Sequence, residues 1–154
     1  MYSYNNIIKK LIDMNISVSI AESCTGGQLS KFFTDYSGSS KIFNMGLITY
    51  SNESKKAILK IPEKILYNYG AVSHEVAEKM LLGLYKISKS KLCISTTGIA
   101  GPSGGSNIKP VGLVYMGIKY KKNIFIHKKI FKGNRAKIQK DAVESCLKKI
   151  AILL

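Results

Sequence analysis

Two rhythms of apolar and polar positions run along this chain, and the changes between them mark its elements. Ile7, Ile8, Leu11 and Ile12 recur at helical spacing, which predicts an opening helix over residues 2–14 with Asn15 near its C-cap. Ser17 to Ala21 alternates as a short strand does. It runs into a polar, Gly-rich turn before Leu29, Phe32 and Phe33 restore helical spacing as far as Tyr36. Residues 37–40 read as a loop and Ile42 to Tyr50 as a second strand. Asn52 is the expected cap of a short helix from Glu53, and Pro62 suits the first turn of the next helix, which Gly70 ends. Ser73 and Glu75 open a longer amphipathic helix with Val76, Met80, Leu81, Leu84 and Ile87 on its inner side. Leu92 to Thr96 is apolar and β-branched, as a buried strand should be. Val111–Lys119 and Asn123–Phe131 read as two strands joined by a hairpin at residues 120–122. Gly133 and Asn134 start a last helix with Ala136, Ile138, Val143, Cys146, Leu147 and Ile150 inward.

The order α-β-α-β-α-α-α-β-β-β-α predicts an α/β fold: a three-layer α/β/α domain with a mixed sheet of about five strands. The chain has 154 residues, which suits one domain over 1–154, and no repeat, linker or low-complexity tract divides it. Apolar residues make up 45% and charged residues 21%, which excludes a disordered chain. No apolar run approaches the ~20 residues of a membrane span. The first residues carry no signal-type apolar region, so a cytoplasmic protein without a membrane partner is expected.

A net charge of +15 complicates this picture, because a basic surface can neutralise phosphates. Yet Arg135 is the lone arginine among 24 basic residues, and the lysines scatter with no run longer than two. Base reading and bidentate phosphate binding favour arginine, so the charge predicts weak, nonspecific polyanion binding and steering of small anions, not a dedicated nucleic-acid site. Cys24, Cys93 and Cys146 have no metal or redox spacing, and His74 and His127 stand far apart, so no zinc site is expected.

The chemistry concentrates in two loops that follow strands, where α/β proteins place ligands. Ser23 sits at a strand-to-helix junction before Thr25, Gly26 and Gly27. Such a serine either caps the helix or attacks a carbonyl while nearby N–H groups hold the oxyanion. Glu22 precedes Ser23 and Ala21 precedes that, so this is not a G-x-S-x-G elbow. Neither histidine lies where it would serve as a base. Lys55, five residues after Tyr50 at the end of the second strand, is the better base candidate, because burial lowers a lysine pKa; its alternative is a solvated charge. Tyr50 either supports the site or packs. The second loop runs from Thr97 and Gly98 through Gly101, Gly104 and Gly105, and forms either an anion nest or a turn. It has neither Walker nor dinucleotide spacing. Arg135, at a helix start, either grips a phosphate or carboxylate or lies on the surface.

Together these segments resemble the CinA C-terminal domain family of nicotinamide-nucleotide amidohydrolases. The matching stretches are AESCTGG at 21–27, GSS at 38–40, GLITYSNESK at 46–55, GAVSHEVAEKM at 70–80, TGIAGPSGG at 97–105, KPVG at 109–112 and F-x-G-x-R at 131–135. The resemblance implies hydrolysis of the carboxamide of nicotinamide mononucleotide to nicotinic acid mononucleotide and ammonia, in pyridine-nucleotide salvage. It implies no metal or organic cofactor and a small-molecule nucleotide as partner. It casts Ser23 as nucleophile, Lys55 as general base and Tyr50 as a catalytic-site residue. Cys24, Thr25, Gly26, Gly27, Thr97, Gly98, Gly101, Gly104, Gly105 and Arg135 fall on its substrate-binding segments. The family's competence-inducible name keeps an alternative open: a basic nucleic-acid-binding or competence/repair partner without hydrolase activity. Homo-oligomerisation is also left open. Asn134 departs from the family, which often has an acidic residue before the arginine, and this is expected to loosen the hold on Arg135. The larger N-terminal domain of many members is not matched, so nothing attached to that domain carries over.

Overall fold

The computed structural model describes residues 4–154; the first residues of the helix expected over 2–14 lie outside them. The elements follow the expected order: α1 (Asn5–Asp13), β1 (Val18–Glu22), α2 (Gln28–Thr34), β2 (Phe43–Ile48), α3 (Asn52–Leu59), α4 (Glu63–Tyr69), α5 (His74–Ser88), β3 (Leu92–Gly98), β4 (Leu113–Tyr120), β5 (Asn123–Ile130) and α6 (Arg135–Leu153). A short 3-10 turn, Ser39–Lys41, interrupts the expected loop after α2.

One mixed sheet has the order β2-β1-β3-β4-β5. β1 pairs in parallel with β2 and β3, and β4 runs antiparallel to both β3 and β5. Strand alternation divides its side chains between two cores. Val18, Ile20, Leu92, Ile94, Val114, Met116 and Ile118 pack with residues of α1, α2 and α6. Ala21 and Cys93 pack with Leu59, Leu66, Val76, Met80, Leu81 and Leu84 of α3, α4 and α5. Helices therefore cover both faces, and the fold is the three-layer α/β/α sandwich that the sequence predicts.

Three helices, α3, α5 and α6, start at side-chain caps. The Ser73 hydroxyl accepts from the Val76 N–H at 3.2 Å, and the Asn134 side chain accepts from the Lys137 N–H at 3.0 Å. Such a cap is worth about 1 kcal/mol. Full burial of Val76, Met80, Leu81 and Leu84 contributes ~1.5–3 kcal/mol each, so packing decides where α5 lies. Gly83 brings α5 against α3, since a Cβ there would come within 2.2 Å of the Leu59 carbonyl oxygen. This close approach holds α3 down on the sheet.

Three local expectations are corrected. Ser51, not Asn52, caps α3, because its hydroxyl accepts from the Ser54 N–H at 3.0 Å. Ile87 is 46% exposed, since the apolar stripe of α5 drifts off the core near the helix end. Ala136 is exposed, because the first turn of α6 stands out past the sheet edge before Ile138 reaches the core.

The topology locates the crevice. The connection leaving β1 carries the chain to β2 on one side, and that leaving β3 carries it to β4 on the other. The two strands are adjacent and parallel, so their C-terminal ends flank the kind of switch point at which open α/β sheets bind ligands.

Candidate active site

Ser23 follows β1 directly, and its N–H donates to the Thr96 carbonyl of β3 at 3.0 Å. Pleating turns successive residues to opposite faces. Glu22 consequently faces α2 while Ser23 faces α3, where Lys55 lies. Lys55 is 1% exposed. Its Nζ donates to Thr49 O at 2.7 Å and Tyr50 O at 3.3 Å, and lies 3.0 Å from Ser23 Oγ. None of the three ion pairs among the described residues involves it. Burial without a counter-charge lowers its pKa to about 8.

A cavity of about 170 Å³ opens over this pair, lined by Ser23, Cys24, Tyr50, Lys55, Thr97, Gly98 and Arg135 together with Ala71, Val72 and Ala100. Both halves of the predicted site therefore meet, although they lie far apart in sequence. Arg135 spans the rim: Nη1 donates to Gly101 O at 2.8 Å, and Nη2 donates to Tyr50 Oη at 2.6 Å. The preceding Asn134 caps α6, its amide oxygen accepting from the Lys137 N–H at 3.0 Å. Thr97 Oγ1 donates to Ala71 O at 2.7 Å, which ties the end of β3 to the segment before α5.

Not every predicted residue borders the cavity. Thr25 is fully buried, and its hydroxyl lies 2.6 Å from Glu22 Oε2 and 2.8 Å from Thr96 Oγ1. Gly26 and Gly27 form the turn into α2 with φ of +58° and +96°, a region that favours glycine. The Gly26 N–H is taken by Ser23 O at 3.1 Å and that of Gly27 by Glu22 Oε2 at 3.0 Å. The Cys24 and Thr25 N–H groups donate to no oxygen among the described residues, and of the two residues only Cys24 borders the cavity. Gly104 and Gly105 lie outside the cavity lining, on the far part of their loop. Cys24 is buried and its thiol is pushed up to about 12, chiefly by desolvation, so it is no competing nucleophile.

Sequence reasoning missed two supports. Glu22, fully buried, accepts five hydrogen bonds from the turn that follows Ser23. Gln139 of α6 donates to Cys24 O at 2.8 Å and accepts from Gln28 Nε2 at 2.9 Å. The inward pleat position of Glu22 was a readable signal; nothing local marks Gln139. His74 and His127 stay outside the cavity lining, as expected. Among the described residues no three His, Cys, Asp or Glu side chains gather as metal ligands. No helix among the described residues is long and apolar enough to cross a membrane.

Known proteins share its sequence and fold. The CinA C-terminal domain profile matches residues 3–154. A relative from Thermoanaerobacter pseudethanolicus, provisionally named a competence-damage inducible protein, is 46% identical over 133 residues, covering 86% of this chain and 32% of the relative. A CinA-like protein of Prochlorococcus marinus is 45% identical over 151 residues, covering 96% of this chain and 35% of its own length. The chain thus spans about a third of the curated relatives it matches. The crystal structure of a competence-damaged protein (CinA) superfamily member from Escherichia coli superposes with a TM-score of 0.93 at 28% identity, covering 99% of this chain and 91% of that one. The competence/damage inducible protein CihA of Agrobacterium tumefaciens superposes with a TM-score of 0.91 at 33% identity, covering 97% and 94%. By sequence and fold, the chain belongs to the CinA C-terminal domain family.

Proposed function

We propose that this chain is an amidohydrolase that cleaves the carboxamide of nicotinamide mononucleotide with a Ser23–Lys55 pair. The observation that carries the reading is the 3.0 Å contact between Ser23 Oγ and a buried lysine faced only by neutral acceptors. In its neutral form the amine gives its two hydrogens to Thr49 O and Tyr50 O, which leaves its lone pair for the Ser23 hydroxyl proton. Ser23 Oγ attacks the carboxamide carbon as Lys55 takes that proton. The Cys24 N–H, at the cavity wall, receives the oxyanion. Lys55 returns the proton to the leaving nitrogen and ammonia departs from an acyl-serine. Water then attacks the ester, its proton passes to Lys55 and on to Ser23 Oγ, and the carboxylate leaves.

The cavity, about 170 Å³, falls below the ~300–1,000 Å³ of sites that enclose a drug-sized ligand. It suits a ring bearing a carboxamide, with ribose and phosphate at the rim. The two hydrogen bonds that orient Arg135 leave its remaining N–H groups for that phosphate. Thr97 Oγ1 gives its proton to Ala71 O and keeps lone pairs that can accept from the carboxamide NH2. Nicotinamide mononucleotide itself, and a salvage role, come from the family resemblance.

The test is ammonia release from nicotinamide mononucleotide by the purified protein, beside Ser23→Ala with its melting temperature checked. Release that vanishes in a folded variant is expected. Turnover that persists in Ser23→Ala removes the nucleophile. A folded wild-type protein that releases nothing from this or related amides shifts the reading to the polyanion-binding role suggested by its charge.

A further inference from the structure

Glu22 closes β1 with its side chain on the α2 face, and it is 0% exposed. Its Oε2 accepts from the Thr25 hydroxyl at 2.6 Å, the Gly27 N–H at 3.0 Å and the Leu29 N–H at 3.1 Å. Its Oε1 accepts from the Ser30 N–H and the Ser30 hydroxyl, both at 2.7 Å. The three backbone donors belong to the start of α2 and have no partner within a helix. A carboxylate from inside the fold therefore fills the place where a bound anion sits at other helix starts. The bonding continues into the site. Thr25 Oγ1 also meets Thr96 Oγ1 at 2.8 Å, and Thr96 O holds the Ser23 N–H at 3.0 Å. Glu22 thus locks the far end of the turn whose near end presents Ser23.

Resting on the Ser23–Lys55 reading, we propose that Glu22 is a positioning residue of the reaction: it sets the Ser23–Gly27 turn so that Ser23 Oγ meets Lys55 and the Cys24 N–H, at the cavity wall, is taken by no protein oxygen. A displacement of ~1 Å in such a constellation can lower a rate ~100-fold without changing what binds.

Gln is the sharpest replacement because it keeps the size. Backbone donors face both carboxylate oxygens, so an amide, whichever way it is turned, sets its NH2 against at least one of them. The experiment measures kcat and KM for nicotinamide mononucleotide, the rate of Ser23 labelling by a fluorophosphonate probe, and the melting temperature. It compares wild type, Ser23→Ala, Glu22→Gln and Ser30→Ala, all below their melting points. Glu22→Gln is expected to lose roughly 10–100-fold in kcat and in labelling rate, with KM changed by less than about threefold. Ser30→Ala removes one of the five bonds on the side away from Ser23, and is expected to melt lower with kcat within about twofold of wild type. Wild-type kcat in Glu22→Gln, or an equal kcat loss in Ser30→Ala, overturns the proposal in favour of a purely structural cap. Should Glu22→Gln fail to fold, Glu22→Asp keeps the charge with a shorter reach; the same kcat-without-KM loss is expected, and wild-type kcat there also overturns the proposal. An active Ser23→Ala, or a wild type that the probe does not label, overturns the Ser23–Lys55 reading itself. A dead Ser23→Ala beside a fully active Glu22→Gln overturns this proposal alone.

Discussion

Glu22 and Lys55 lie on opposite sides of β1, are 0% and 1% exposed, and take part in no ion pair among the described residues. Their surroundings differ all the same. Glu22 accepts five hydrogen bonds, three of them from N–H groups at a helix start where the dipole favours an anion. Lys55 meets two carbonyls and one hydroxyl, and burial lowers its pKa. Burial alone therefore does not distinguish a structural ion from a reactive one. What separates them is how fully the surroundings match the charged form. The carboxylate is matched and fixes a turn; the amine is left poised between two protonation states near neutrality, as a general base needs to be.

The strongest way to break this contrast is to remove the amine and keep its volume. Lys55→Met is expected to lower kcat by about 10²–10⁴-fold, the usual contribution of a general base. Its melting temperature should hold or rise, because an apolar side chain of similar size replaces a buried, uncompensated cation. A loss of ~3–5 kcal/mol on denaturant unfolding, as when a buried ion pair is broken, would make Lys55 a structural partner and end the contrast. Lys55→Arg should also fail in turnover, since a guanidinium stays protonated.

The reverse experiment removes the matched charge. Glu22→Ala leaves the Gly27, Leu29 and Ser30 N–H groups without an acceptor, at ~1–3 kcal/mol for each donor left buried and unpaired. Urea unfolding should register a loss of at least several kcal/mol, or no folded protein at all. A loss below about 1 kcal/mol would mean that water replaces the carboxylate easily, and Glu22 would no longer stand for the matched case.

These two residues also mark how far the sequence could be read. The element order and the meeting of Ser23 with the Tyr50–Lys55 segment follow from periodicity and from the rule that ligands bind where strands end. Strand alternation would have sent Glu22 and Ser23 to opposite faces, yet a lone glutamate beside a serine does not announce five donors. Those donors lie three to eight residues on and converge only once α2 forms. Gln139 reaches the Cys24 carbonyl from α6, across 115 positions, so no local pattern shows it. Gly104 and Gly105 lie outside the cavity lining: a Gly-rich loop advertises close backbone approach, and here a Cβ at Gly105 would crowd Val111 of its own loop. Ile87 and Ala136 kept helical spacing while sitting at helix ends, beyond the reach of the core.

A smaller effect sharpens the contrast through activity. With Lys55 titrating at about 8, kcat/KM should climb roughly tenfold per pH unit below that value and level off above it, because only the neutral amine accepts the serine proton. The ammonia assay run from pH 6 to 9 checks this. A profile flat from pH 6 upward would remove Lys55 as the group whose ionisation limits the reaction.

The smallest effect lies in stability. The folded pKa of Lys55 is below its ordinary value of 10.5, so burial penalises the ammonium. Below pH 8 the group is protonated in both folded and unfolded chains, and the penalty is present in full. Between about 8 and 10.5 the folded chain holds the neutral amine while the unfolded chain still binds the proton. Stability therefore rises with pH through that window, wherever the unfolded state binds more protons. Other lysines and tyrosines titrate there too, so the informative quantity is the difference between wild type and Lys55→Met. Wild type should gain a few degrees of melting temperature on the variant from pH 8 to 10. Parallel curves would show that the amine is solvated in the folded chain, and Lys55 would then lose the property that sets it apart from Glu22.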